Sequence, residues 1–100
     1  MIKIKLHKAQ GITNISVSGH ADYDEYGKDI VCAAVSATVL TTVNGIMAID
    51  DSIIEVIENE DEMVIKVKKY NKISQILLDN MLSCLQELVN EYPKNIKIHD

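Results

Sequence analysis

Phenylalanine and tryptophan are absent from this chain, proline occurs once, glycine four times and cysteine twice. Without large aromatics the core must be aliphatic, drawn from Ile, Val, Leu and Ala. So few Pro and Gly exclude a low-complexity or collagen-like chain. The two cysteines stand 52 residues apart, which is neither a disulfide framework nor a zinc-ligand spacing. The opening M-I-K-I-K-L-H alternates like a strand and has no apolar export run, so reduced thiols and a cytoplasmic address are expected. Positive charge is also scarce. The net charge is −5 and the lysines are scattered through strand-like segments. A nucleic-acid binder would carry a basic stripe, so no direct nucleic acid is expected, and a basic protein partner suits the acidic chain better. One long uncharged run does occur, the twenty residues 30–49. It has the length of a membrane span. Ser36, Thr38, Thr41, Thr42, Asn44 and Gly45 interrupt it too often for that. It reads as a helix buried in the domain or at a subunit contact, with no membrane partner; a homodimer fits.

With 100 residues, 47% of them hydrophobic and 25% charged, the chain is expected to be one globular domain, residues 1–100, with one modest core. Ile2, Ile4 and Leu6 alternate with Lys3, Lys5 and His7, the pattern of a half-buried strand. A turn at Ala9-Gln10-Gly11 and a second strand around Ile15 and Val17 complete a hairpin. A loop over 21–28 follows, then a helix over 29–48 in which Gly45 should loosen the last turns. Segments 53–58 and 63–69 predict a second hairpin across Asn59-Glu60-Asp61. Asn71 caps a second helix with the apolar stripe Ile73, Leu77, Met81, Cys84, Leu88 and Tyr92, ended by Pro93. Ile96-Lys97-Ile98 is either a short edge strand or a tail. The order ββαββα predicts an α+β domain, a mostly antiparallel sheet packed against two helices. No phosphate cradle, dinucleotide fingerprint or serine elbow is present.

The chemistry concentrates in residues 19–37. Asp29 stands where a helix N-cap belongs, and its carboxylate would accept an orphan N–H of the first turn. Cys32 is then at N3, near the positive end of the helix dipole, a setting that favours the reactive thiolate. His20 lies twelve residues upstream across a loop that can fold back. Cys plus His at a helix mouth is the minimum equipment for nucleophilic acyl transfer, His20 acting as general base and then acid. His7 alternates outward and His99 lies at the chain's end, so His20 alone has a thiol in reach. Cys84, mid-helix on the apolar stripe, reads as core filler. Asp22 and Asp29 are both candidates to orient the imidazole, Asp22 also being a plain solvated charge and Asp29 a plain cap. Ser36, one helical turn after Cys32, either lines the substrate cleft or bonds back to its own helix. The Cys32 N–H is a candidate oxyanion donor. Asp22, Asp24 and Glu25 would draw in a cationic substrate, Tyr23 and Tyr26 would offer it apolar surface, and Gly27 would be a hinge for a loop closing over it. Two rivals exist: a non-enzymatic assembly factor that holds a basic protein partner through the acidic loop, and a metal site from His20, Asp22, Asp24 and Cys32. The mixed hard and soft donors of the latter suit no one metal.

The stretch G-H-A, a short loop ending in Y-G-K-D, then I-V-C-A-A-V-S-A resembles the ribosomal-processing cysteine proteases, often named Prp, of bacteria. That resemblance implies a cytoplasmic endopeptidase without metal or organic cofactor. Its substrate would be the precursor of the large-subunit ribosomal protein L twenty-seven, which loses a short N-terminal extension. It also implies that the family's catalytic histidine and cysteine fall on His20 and Cys32, and it leans toward a homodimer.

Overall fold

The computed structural model describes residues 1–25 and 27–100. Five strands and two helices follow one another as β1 (Ile2–Ala9), β2 (Gly11–Ser18), α1 (Ile30–Ile49), β3 (Ile54–Glu58), β4 (Glu62–Val67), α2 (Lys72–Glu91) and β5 (Ile96–His99). The sheet order is β3-β4-β2-β1-β5. Three pairings are antiparallel, and β5 lies parallel to β1 with Ile2 opposite Ile96 and Ile4 opposite Ile98. The segment 96–98 is therefore an edge strand and not a tail, and it makes the sheet mixed. The rest of the expected α+β order holds.

The period-2 pattern of β1 puts Ile2, Ile4 and Leu6 in the core and Lys3, Lys5 and His7 in solvent. In β2 the buried residues are Ile12 and Ile15, which are out of phase for a regular strand. A bulge resolves this. His7 pairs with Asn14 and Lys8 with Ile12, so Thr13 is the extra residue, and its hydroxyl donates to His7 O at 3.0 Å.

Helix α1 begins at its cap as expected and runs straight through Gly45 to Ile49. Val31, Val35, Val39, Val43 and Ile46 form its buried face. By length and composition it is the one described helix apolar enough to cross a membrane, and here that valine stripe packs into the domain core. Its opposite side, along Ala37, Thr41, Gly45 and Ala48, is exposed and uncharged, and Ile30, Leu40, Met47 and Ile49 are exposed as well.

The expected stripe of α2 is partly wrong. Leu78, Met81 and Leu85 are its buried hydrophobics, while Ile73 is 57% exposed and Cys84 is half-buried beside the core and not within it. The cause is polar. Ser74 and Gln75 take the inward positions of the first turn because their hydrogen bonds are satisfied there. Ser74 bonds its cap Asn71 through both N–H and hydroxyl. The Gln75 amide spans Ile12, accepting from its N–H at 2.9 Å and donating to its O at 2.8 Å. Gly11 makes room for it: a Cβ there would lie 2.7 Å from Gln75 Oε1, and its φ of +76° already favours glycine.

Candidate active site

The sheet end that carries Ser18, Ile2 and Ile96 also carries the start of α1. There a cleft of about 730 Å³ opens between α1 and the β3–β4 turn. His20 and Cys32 both line it. The fold brings them together by doubling the chain back: Ala21, the residue after His20, donates its N–H to Cys32 Sγ at 3.3 Å. Ala21 is buried, whereas His20 is exposed and Cys32 half-buried with its sulfur toward the cleft.

Asp29 does two jobs with one carboxylate. Oδ1 accepts from Val31 N and Cys32 N, both at 3.0 Å, which caps α1 as the sequence implied. Oδ2 accepts from Tyr23 N at 3.0 Å and Asp24 N at 3.4 Å, tying the preceding loop to the helix. Partial desolvation raises its proton affinity, but the four N–H donors, Cys32 foremost, outweigh that and hold the carboxyl below its ordinary value. One expectation is corrected here. The Cys32 N–H is already engaged by its own cap, so it is not a free oxyanion donor.

Asp22 sits at φ +56°, a left-handed conformation that Asp tolerates better than most residues. It lines the cleft and pairs with the Met1 ammonium at 3.1 Å. It therefore points to the chain's first residue, and Asp29 spends its lone pairs on main-chain N–H groups. Neither carboxylate hydrogen-bonds the imidazole. Tyr23 does not offer the cleft an apolar wall. Its ring stands edge-to-face on Tyr92, with centroids 5.4 Å apart, and it is missing from the cleft lining. Gly27 lines the cleft at φ +87°; Tyr26 lies outside the described residues. Ser36 lines the cleft one turn beyond Cys32, while the helix's back-bonding hydroxyls are Thr38 and Thr42. Over 21–24 the expected lid is pinned by Asp29, Met1 and the α2–β5 turn.

Two contributions were invisible in the sequence. The far wall of the cleft comes from Glu58, Asn59, Glu60 and Glu62 in the second hairpin, facing Asp22, Asp24 and Asp29. An acidic turn was legible, but its partner across the cleft was not. The second is the α2–β5 turn, where Asn95 Nδ2 donates to Ala21 O at 2.9 Å. Among the described residues, His20, Asp22, Asp24 and Cys32 do not converge into a group able to hold a metal ion.

An open groove lined by both a thiol and a histidine is the layout of a cysteine peptidase. The comparisons define it further. The profile of the family described as cysteine protease Prp matches residues 1–97, and the chain belongs to that family. It is 34% identical to the ribosomal processing cysteine protease Prp of Staphylococcus aureus, over 98% of this chain and 95% of that one. It is 24% identical to the Bacillus subtilis protein of the same description, over 89% and 86%. Among solved structures, it is similar to the S. aureus protease in complex with a covalently linked product peptide, with a TM-score of 0.88 at 31% identity, covering 98% of this chain and 95% of that one. The same protease in complex with a substrate peptide superposes with a TM-score of 0.81 at 30% identity, with the same coverage. The chain is thus a cysteine peptidase, and the reading as a non-enzymatic assembly factor falls away.

Proposed function

We propose that this peptidase removes the N-terminal extension of a large-subunit ribosomal protein precursor, the L twenty-seven protein, in the cytoplasm, with Cys32 as nucleophile and His20 as its base. The observation that supports this pair is the contact between Ala21 N–H and the Cys32 sulfur: it holds the residue next to His20 against the thiol, and both side chains line one cleft. His20 takes the thiol proton, and the sulfur attacks the scissile carbonyl carbon. The tetrahedral adduct collapses with cleavage of the C–N bond, and the imidazolium gives its proton to the leaving amine. Water, deprotonated by His20, then hydrolyses the thioester and returns the thiol. With the Cys32 N–H occupied, the Ala21 N–H is the donor nearest to negative charge on sulfur. Six cleft carboxylates, Asp22, Asp24, Asp29, Glu58, Glu60 and Glu62, favour a cationic polypeptide. The substrate complexes of the S. aureus relative support a peptide in this groove.

The uncharged outer side of α1 supports a homodimer. Ala37, Thr41 and Gly45 run along it, and nothing lies within 4 Å of where a Gly45 side chain would be, so a second copy can approach closely. The deciding experiment is incubation of the precursor with the enzyme and with Cys32→Ala, followed by mass measurement. A product shortened at its N-terminus, formed only by the unaltered enzyme, supports the reading; an intact precursor rejects the substrate.

A further inference from the structure

The α2–β5 turn makes two kinds of contact. Its main chain is structural: Asn95 O accepts from Ile2 N at 2.8 Å, Asn95 N donates to Tyr92 O at 3.0 Å and Ile96 N to Tyr92 O at 3.3 Å. Those bonds set the turn and start the β1–β5 pairing. Its side chains face elsewhere. The Asn95 amide donates to Ala21 O, and the Tyr92 ring packs on Tyr23. Both targets belong to the loop between His20 and Cys32.

We propose that Asn95 is a positioning residue for the reacting sulfur, acting through Ala21. It fixes the residue whose N–H meets Cys32 Sγ and which carries His20 on its N-terminal side. The other ties to this loop bind different residues: Asp29 holds the N–H groups of Tyr23 and Asp24, and the Met1 ammonium holds the Asp22 carboxylate. Ala21 itself is gripped between the Asn95 amide and the sulfur it serves. Only the amide end of Asn95 can donate to a carbonyl, so a carboxylate of the same shape would repel it. Freed from Asn95, Ala21 can rotate its N–H away from the sulfur and carry the imidazole with it. Misplacement of a reacting group by about 1 Å is enough to lose much of a catalytic rate.

The proposal rests on Cys32 and His20 as the catalytic pair, and its test separates the two ideas. The rate of Cys32 alkylation by iodoacetamide is followed against pH in the unaltered enzyme, Asn95→Ala, Asn95→Asp and Ile96→Val. The last trims the core beside the same turn without touching the loop. Both Asn95 variants should move the alkylation curve to higher pH by about one unit, a tenfold change in thiolate population. They should also lower kcat for a cleavable peptide by about tenfold with KM little changed. Ile96→Val should melt earlier with its alkylation curve in place. Asn95 variants that fold and superpose on the unaltered curve overturn the proposal, as does an equal displacement in Ile96→Val. If neither Asn95 variant folds, the unaltered protein still decides. Its Asn95 side-chain NH₂ resonances should shift over the pH range where Cys32 alkylation rises and stay still in Cys32→Ala; no shift overturns the proposal. An unaltered Cys32 no more reactive than Cys84 would instead remove the catalytic pair itself, and this inference with it.

Discussion

Cys32 and Asp29 are joined twice over. The cap carboxylate accepts the Cys32 N–H at 3.0 Å, and through its second oxygen it holds the loop that wraps over the same sulfur. Removing it should therefore harm more than a helix end. Asp29→Ala should lower the melting temperature by several degrees, as loss of a cap does in a domain of this size. It should also depress cleavage beyond what the lost stability explains. Asn keeps one acceptor oxygen for the helix end but would turn its NH₂ on the Tyr23 and Asp24 N–H groups, so it should restore only part of the stability. Thermal melts and peptide cleavage at equal folded concentration measure both.

The same carboxylate sets an acid limit. Because its folded-state proton affinity is lowered, its share of the stability is fully present above the ordinary value of 3.8 and is lost as pH falls through the lower folded value. The difference in urea midpoint between the unaltered chain and Asp29→Asn should be constant from neutrality down to about pH 5 and shrink below pH 4. A difference that persists unchanged at pH 2 would show that the interaction does not depend on charge.

If Cys32 and His20 act as a unit, removing either should abolish nearly as much activity as removing both. Cys32→Ala should fold and still bind precursor, since alanine is a good helix former. Cys84→Ala should cleave normally. Its stability loss should be less than about 1 kcal/mol, because the side chain is only half-buried and leaves no enclosed cavity. Any appreciable cleavage by Cys32→Ala refutes the mechanism.

Gln75 is a buried polar clamp far from the cleft. Gln75→Leu should leave both the N–H and the O of Ile12 without partners and cost about 1–3 kcal/mol. Well below its melting temperature the variant should cleave peptide at the normal rate. Chemical denaturation and kinetics on one preparation would separate the two effects.

Gly45→Glu puts a charge on the bare outer side of α1 with open space around it, so the fold should survive. The proposed dimer should not. Sedimentation velocity should show the unaltered protein at twice the monomer mass and the variant at monomer mass; equal masses would remove this face as the contact.

What the sequence made legible is what depends on neighbours in the chain. The cap at Asp29, the length of α1 and the two hairpins are local matters of periodicity and turn chemistry, and they stand as expected. The errors lie where a distant residue decides. Ile73 is apolar yet exposed, because Ile12 offers Gln75 hydrogen bonds that no helical pattern reveals. The in-phase burial of Ile12 and Ile15 needs the bulge at Thr13. Tyr23 was expected at the substrate and instead meets Tyr92, on an element whose docking is set by sheet order. That the cysteine and histidine would share one cleft was readable in the sequence, but the glutamates of the opposite wall and the asparagine behind Ala21 come from tertiary structure alone.

The parallel pairing of β1 with β5 has a kinetic side. The hairpins β1–β2 and β3–β4 close over short turns, whereas Ile2 meets Ile96 only across both helices and the other three strands. Contacts between residues so distant in the chain are the sort that slow folding. The edge of β1 stays open until β5 docks beside it, and the turn holding Asn95 takes its place in that same step. Until then Ala21 lacks its tie to Asn95 and Tyr23 its contact with Tyr92, so the cleft is completed only when the sheet edge closes.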